Sequence, residues 1–549
     1  MTRTLYSGTR LQSNKTIDID TITDEFFAKK PNMSISQQCV KFGTSGHRGK
    51  TGNTSFTLDH VVAITQAIVD YRKQAGITGP IFVGKDTHLL SELSFQAVLS
   101  VLIKGGCVVH IDMYSSHTPT PAVSRAIIRH NRVNNEHADG ILITPSHNPP
   151  EDGGIKYNPP HGGPAGAEAT SFIEQRANEL LENDFEPTKY MMQEKPYTSP
   201  LLKPVDICVA YVEDLARAID IEAIKKSGVR IAVDPMGGAA CHYWQVIKNV
   251  YGLNIKIVNP VTDPLFSFIP PDEDGVIRMD CSSRFSMQNL ISFMENAEHD
   301  VGVANDPDGD RHGIVLPGDG LVSPNLFLAI AAKYLIKHRP DWPTSSGIGK
   351  TVVTSDLLSK VADEHDYFVD DTPVGFKWFV ERLHNGELMF SGEESSGGAF
   401  AEMDGACWTT DKDGILLCLL AAEIIAKTGM TPIEYGKSEG LVSPNYIRKT
   451  YPISADKMAL LKAIAPSMFY NKTIAGGTVI DAFSEAPSKQ GGAIGGVKVR
   501  LDNGWFAIRP SGTEPVYKIY AESSLNTSHS EQLIKEVSKM IESPSFLCD

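Results

Sequence analysis

The sequence predicts a multidomain α/β protein, and three observations lead there. Short apolar strands alternate with longer helical patterns through most of the chain. The length, 549 residues, exceeds what one hydrophobic core usually supports; four units of about 137 residues each fit ordinary domain sizes. A faint internal echo also recurs, in which a strand ends in a loop carrying Asp, Ser or Pro: VGKDTHLLSE, ILITPSHNP, IAVDPMGGAA, VGVANDPDGDRHG and VVTSDLLSK. Ligands of open α/β sheets bind outside the carboxyl ends of strands, so these loops are the expected place for chemistry.

Taken in order, the first forty residues are polar and mixed, and predict an irregular leader with one helix. Strands are expected at 80–84, 140–143, 229–233, 300–303 and 351–353, and helices at 58–74 and 326–337. Pro-rich or mixed stretches at 196–204, 317–324 and 431–444 suggest breaks. They divide the chain into domains 1–204, 205–323, 324–441 and 442–549. The last holds a Gly-rich segment, 491–496, followed by the strand-like VKVRLDNGWFAIRP.

Composition excludes several classes. Apolar residues are 41% and charged residues 21%, which argues against disorder. Lys plus Arg total 51 and Asp plus Glu 66, a balance of −15. That charge disfavours nucleic acid and anionic membranes as partners, yet leaves room for a small phosphorylated substrate in a local basic pocket. The eight cysteines form no C-x-x-C pair and read as reduced thiols. The N-terminus lacks an apolar signal region, and the longest apolar run, 415–422, falls far short of the ~20 residues of a membrane span. A soluble cytoplasmic protein is expected.

Five segments carry chemistry. In Thr144-Pro145-Ser146-His147-Asn148-Pro149, two prolines frame a turn with Ser146 at its tip, a suitable place for a nucleophile or a phosphorylated residue; an inert turn is the alternative. In Asp306-Pro307-Asp308-Gly309-Asp310-Arg311-His312-Gly313, carboxylates at i, i+2 and i+4 can converge on one hard cation, whereas the EF-hand pattern fails. Without a cation such density is repulsive, which weighs against a merely solvated turn. Gly43-Thr44-Ser45-Gly46-His47-Arg48-Gly49 offers backbone N–H groups and a guanidinium to a phosphate, and reads equally as an ordinary loop. Gly392-Glu393-Glu394-Ser395-Ser396-Gly397-Gly398 can receive sugar hydroxyls. Arg509-Pro510-Ser511-Gly512-Thr513-Glu514-Pro515 makes a compact phosphate cradle. Both also read as plain turns. The segment 346–351 ends like a nucleotide-binding loop, but Thr344 stands where its first glycine belongs, and no H-E-x-x-H or G-x-S-x-G occurs.

Together, in this order, GTSGHRG, TPSHNP, DPDGDRHG, GEESSGG and RPSGTEP resemble the α-D-phosphohexomutase family over residues 43 to 515. The resemblance implies four domains around a central cleft. Three would be related mixed α/β-sheet domains, and the fourth a smaller α+β domain of the TATA-binding-protein type. It implies Mg²⁺-dependent interconversion of glucose 1-phosphate and glucose 6-phosphate. Ser146 would be the phosphoserine, and glucose 1,6-bisphosphate both intermediate and activator. Asp306, Asp308 and Asp310 would hold Mg²⁺ with a Ser146 phosphoryl oxygen. Glu393 and Ser395 would bind sugar hydroxyls. Arg509, Ser511, Gly512 and Thr513 would grip the phosphate not being transferred. Arg48 would lie in a loop that positions the reacting groups, and Thr44 and Ser45 of that loop would bind substrate. Arg311 and Lys518 would join the substrate contacts, and Gly375 and Lys377 would lie in a specificity loop. His147, Lys156 and Lys412 are the acid/base candidates, and a lysine acts as base only where neighbouring cations lower its pKa. Lys518 departs from the family, whose members often carry Arg there, and exchanges a bidentate fork for a point charge. Ser396 stands where animal members carry an aromatic residue. Sugar phosphates are the implied partners, with mannose or amino-sugar phosphates as the alternative substrates and an inactive, ligand-binding scaffold as the alternative role.

Overall fold

The computed structural model describes residues 17–43, 45–113, 117–296, 298–510 and 516–543. Its first sheet is built from β1 (His47–Lys50), β2 (Ile81–Lys85), β3 (Val109–Asp112), β4 (Asp139–Ile143), β5 (Asp152–Asn158) and β6 (Leu202–Val205), in the order β1-β5-β4-β2-β3-β6. β2 runs parallel to β3 and β4, whereas β5 returns antiparallel to β4. The second sheet holds β7 (Ile231–Asp234), β8 (Ile255–Ile257), β9 (Val301–Asn305), β10 (His312–Leu316) and β11 (Gly320–Leu321), ordered β11-β10-β9-β7-β8. The third holds β12 (Gly347–Thr351), β13 (Phe368–Thr372), β14 (Leu388–Glu393) and β15 (Gly397–Phe400), ordered β13-β12-β14-β15.

One topology is therefore used three times: β3-β2-β4-β5, β8-β7-β9-β10 and β13-β12-β14-β15. In each, parallel strands joined by helical crossovers end in an antiparallel hairpin. The internal echo in the sequence follows this repeat. β2, β4, β7 and β9 are buried along their whole length, as expected for parallel strands covered on both faces, and this is why they read as continuous apolar runs.

One strand lies elsewhere than expected. β12 occupies 347–351 rather than 351–353, on the segment that imitates a nucleotide loop. Its glycines hide it, because they lower strand propensity while serving close packing. A Cβ at Gly347 would collide with the Phe368 ring, and one at Gly349 would lie 2.6 Å from Ser391 Oγ. The stretch 196–204 is not free linker either, since β6 pairs with β3. The expected helix at 58–74 is present as Leu58–Gln74, that at 326–337 as Pro324–His338, and the leader carries Ile19–Ala28.

The fourth sheet is wholly antiparallel: β16 (Asn445–Pro452), β17 (Thr473–Ile474), β18 (Gly477–Glu485), β19 (Ala493–Leu501), β20 (Gly504–Pro510) and β21 (Val516–Ser523), ordered β16-β21-β20-β19-β18-β17. Side chains alternate along it. Phe506, Ile508, Ile519 and Ala521 pack under Leu461 of helix Ala455–Lys462 and under Leu533, Ile534 and Val537 of helix Thr527–Glu542. Trp505, Ala507 and Tyr520 face the other way and pack on Val352 and Val353, just after β12. A mixed α/β architecture in the first three units and an α+β sheet unit at the C-terminus agree with the expected fold class.

A continuous apolar cluster joins the first three units. At its centre is helix Gly414–Thr428, whose residues 415–422 are fully buried against β9, β10 and β15. Among the described residues, no single helix is long and apolar enough to cross a membrane, and all seven cysteines are free thiols.

Candidate active site

The three hairpin tips meet. Between β4 and β5 the chain turns through the segment framed by Pro145 and Pro149, with Ser146 buried and at φ +63°. That left-handed conformation is unusual for a residue with a side chain. Ser146 N–H donates to Thr144 Oγ1 at 2.8 Å. Its Oγ lies 3.2 Å from Asp306 Oδ2 and 3.4 Å from His147 Nδ1.

Asp306, Asp308 and Asp310 form the turn from β9 to β10, where Gly309 (φ +71°) allows the reversal. One carboxylate oxygen from each lies within 4.8 Å of the others, and all three residues are buried. Asp308 Oδ1 and Asp310 Oδ1 have no hydrogen-bond partner. Buried, unpartnered carboxylate oxygens converging with a third fit a hard divalent cation, so the residues suit a metal. Thr120, opening helix Thr120–Val133, fixes the turn by donating its N–H to the Asp308 carbonyl (2.8 Å) and its hydroxyl to Asp308 Oδ2 (2.9 Å).

Three cations oppose the three carboxylates. Lys156 Nζ, on β5, is 2.6 Å from Asp308 and 3.4 Å from Asp310. Lys412 Nζ is 3.2 Å from Asp310. Arg311 lies 3.8 Å from Asp306 and 3.9 Å from both Asp310 and Asp280. Burial and the repulsion of Asp308 and Asp310 push the Asp306 carboxyl well above its ordinary value. Burial opposes the charge of Lys156, but the aspartates outweigh it and raise its pKa. The expected lowering of a catalytic lysine is thus absent at Lys156: carboxylates, not cations, surround it. Burial and Arg311 hold the His147 imidazole well below its ordinary value.

The third tip supplies the sugar side. Glu393, the last residue of β14, accepts the Gly375 N–H at 3.1 Å, and burial raises its pKa. Ser395 sits half-buried at the tip. The tip is tied to the aspartate turn by His312 N–H to the Ser396 carbonyl, 3.0 Å, and by the Arg311–Gly397 bridge. Gly375 (φ +125°) starts the 3₁₀ turn Phe376–Trp378, where half-burial lowers the pKa of Lys377. Arg48, on β1, donates to Ser45 Oγ (3.2 Å) and Asn148 Oδ1 (3.4 Å), and Arg311 lies close enough to act, with burial, against its charge. Facing guanidinium groups of this kind suit an anion between them.

The fourth unit packs on the third beside the Gly375–Trp378 turn. Arg509 and Lys518 are cross-strand partners at the end of the β20–β21 ladder, and Arg509 Nε donates to the Ile494 carbonyl at 2.9 Å. A Cβ on Gly492 would lie 2.7 Å from the Trp378 ring, so this unit touches the Gly375–Trp378 turn. Thr44, Ser511, Gly512 and Thr513 lie outside the described residues.

Sequence reasoning missed four residues that shape the site. Asp280 faces His147, Arg311 and Arg448; burial favours its neutral form, but these neighbours hold its carboxyl below the ordinary range. It follows no strand and carries no motif. Asp86 and His88 brace the Ser146 turn. Thr120 lies in no motif and in none of the elements expected from the sequence.

Residues 40–184, 209–319 and 323–439 match the phosphoglucomutase/phosphomannomutase α/β/α domains I, II and III, and residues 476–540 match the C-terminal domain. The chain belongs to the phosphoglucomutase/phosphomannomutase family. A phosphoglucomutase of Komagataeibacter xylinus is 46% identical over 539 residues, covering 98% of this chain and 97% of its own. A phosphoglucomutase/phosphomannomutase of Thermococcus kodakarensis is 27% identical, covering 90% and 96%. Among solved structures of the family, a putative phosphomannomutase from Thermus thermophilus superposes with a TM-score of 0.69 at 25% identity, over 92% of this chain and 99% of its own. The phosphoglucomutase parafusin of Paramecium, in its open form, superposes at 0.70 with 21% identity, over 94% and 95%, a likeness of fold.

Proposed function

We propose that the protein is a phosphoglucomutase, interconverting glucose 1-phosphate and glucose 6-phosphate through a phosphorylated Ser146. The observation that carries this reading is the placement of Ser146 Oγ 3.2 Å from Asp306, at the edge of the buried three-aspartate cluster. The near-full-length similarity to the Komagataeibacter phosphoglucomutase supports glucose as the sugar.

In the first half-reaction the bond between phosphorus and Ser146 Oγ breaks and a bond to the free sugar hydroxyl forms, giving glucose 1,6-bisphosphate. In the second, the other phosphate returns to Ser146. Mg²⁺, held by Asp306, Asp308, Asp310 and a Ser146 phosphoryl oxygen, would supply charge stabilisation for the transferring oxygens. His147, 3.4 Å from Ser146 Oγ, and Lys156, beside Asp308, are the acid/base candidates nearest the phosphoryl carrier. Lys412 serves as a further cation. Arg48, Ser45 and Arg311 would orient the reacting phosphate. Glu393, Ser395, Gly375 and Lys377 would receive the sugar, and Arg509, Lys518 and the 511–513 loop would hold the distal phosphate. Glucose 1,6-bisphosphate, by reloading Ser146, would act as activator. We place the enzyme in the cytoplasm, where free thiols stay reduced.

A coupled assay with glucose 1-phosphate, Mg²⁺ and a trace of the 1,6-bisphosphate tests this. Turnover and a Ser146-dependent phosphate adduct in intact-mass spectra are expected, both lost in Ser146→Ala while the fold survives. Full activity in that variant rejects the covalent relay. Preference for mannose 1-phosphate or glucosamine 1-phosphate reassigns the sugar.

A further inference from the structure

Ser146 holds a backbone conformation that a side chain disfavours, so something must hold it there. Its N–H is bonded to Thr144 Oγ1. A hydroxyl accepts best from that N–H when its own proton is committed elsewhere. It is: Thr144 Oγ1 donates to Asp86 Oδ2 at 2.5 Å. Asp86, just past β2, also receives His88 Nδ1 (2.8 Å, Oδ2) and the His88 backbone N–H (3.0 Å, Oδ1). Three donors on one carboxylate favour its ionised form. The far ring nitrogen, His88 Nε2, lies 3.1 Å from the Asn148 carbonyl. Both nitrogens of His88 therefore face acceptors, a carboxylate and a carbonyl, which favours a proton on each. The ring has no solvent exposure, and the carboxylate it meets is 1% exposed. Asp152 adds a second negative charge nearby, and the Phe266 ring, from the second unit, closes over His88 at 4.7 Å. The pKa directions agree: for both groups burial disfavours the charge and the partner outweighs it, raising His88 and lowering Asp86.

We propose that the buried Asp86–His88 ion pair is a positioning clamp for the Ser146 turn, gripping it on the amino side through Thr144 and on the carboxyl side through the Asn148 carbonyl. Among the described hydrogen bonds, Asp86 and His88 make none to Ser146 Oγ or to the three aspartates, although the Asp86 charge acts on Asp308. The clamp sets the backbone angle that aims the hydroxyl at Asp306. Asn148 extends the effect outward, because its side chain meets both Asp152 (2.9 Å) and Arg48 (3.4 Å). The inference rests on Ser146 being the phosphoryl carrier.

The test compares His88→Gln, Thr144→Val and Thr144→Ser with the unaltered protein. Misplacing a reacting group by about 1 Å costs about a hundredfold in rate. We expect kcat to fall at least about tenfold in His88→Gln and Thr144→Val, with KM for glucose 1-phosphate within about twofold. Thr144→Ser, which keeps the hydroxyl, should recover most of kcat. Hydrogen–deuterium exchange read by mass spectrometry gives an activity-independent measure. The peptide covering 144–148 should exchange faster in the first two variants and regain protection in Thr144→Ser, with peptides of the fourth sheet unchanged. Unaltered exchange and kcat in His88→Gln, or a loss confined to KM, overturns the clamp. Should His88→Gln not fold, the Thr144 pair decides alone. An unaltered protein inactive on sugar phosphates defeats the proposed function, while the exchange data still judge the clamp.

Discussion

Asp306 is expected to be a residue whose loss makes the metal-free protein more stable. Its carboxylate lies within 4.8 Å of those of Asp308 and Asp310. At an effective dielectric of about 20, each such pair repels by at least about 3.5 kcal/mol, about 7 for the two. Arg311 Nε, 3.8 Å away, offsets about 4 kcal/mol of this on the same scale. A net cost of about 2–3 kcal/mol remains. Asp306→Asn removes the charge and keeps the shape. The amide oxygen can still accept the Arg311 N–H (3.0 Å), and its nitrogen can donate to Ser146 Oγ. In EDTA the variant should melt about 2–3 °C above the unaltered protein, given the entropy of unfolding of a 549-residue chain. Mg²⁺ should then reverse the order. It stabilises the unaltered protein by about 2.7 kcal/mol at a hundred times its dissociation constant, and the variant much less. Activity should be lost. Thermal melts at matched ionic strength, with and without Mg²⁺, read both effects. A lower melting temperature in EDTA, or equal stabilisation of both proteins by Mg²⁺, would refute the charge reasoning.

Two further outcomes concern the scaffold of the first unit. Asp139 is fully buried and accepts from Arg72 Nε (2.9 Å) and the Tyr157 hydroxyl (2.7 Å). Asp139→Asn strands the Arg72 charge and should cost about 3–5 kcal/mol in urea unfolding, whereas Arg72→Met combined with Asp139→Leu should recover most of it; no recovery would contradict the ion-pair account. His60 is fully buried, accepting the Thr57 N–H on Nδ1 (3.2 Å) and facing the Gln38 carbonyl through Nε2 (2.8 Å), and burial pushes its pKa down to about 3. A histidine near 6.5 unfolded and about 3 folded stabilises above pH 6.5 and loses that contribution as pH falls, by about 2 kcal/mol at pH 5. His60→Gln should flatten the pH dependence of the urea midpoint between pH 7 and 5; an unchanged slope would show that His60 titrates freely.

The buried strands β2, β4, β7 and β9 were legible because continuous apolar runs ending in Asp, Ser or Pro need no tertiary information. The four described motifs lie at hairpin tips or strand ends for the same reason: a turn needs glycine and proline, and a phosphate or cation needs charge beside them. β12 was displaced in the reading because its glycines answer to Phe368 and Ser391, partners remote in sequence. β6 looked like linker because an edge strand with a proline has little apolar signature.

Residue types and spacing alone determined that a serine turn, an acidic triplet and a glutamate-bearing loop would each be present at a strand end, since local backbone geometry and charge density are written in neighbouring residues. Only the tertiary structure decided that they meet. The thrice-used sheet topology and the buried helix Gly414–Thr428 bring Ser146, Asp306 and Lys412 together from 146, 306 and 412. It also set the surroundings that shift the Lys156 and His88 pKa values up and that of His147 down, because a pKa follows the charges and burial around a group, and those arrive from elsewhere in the chain.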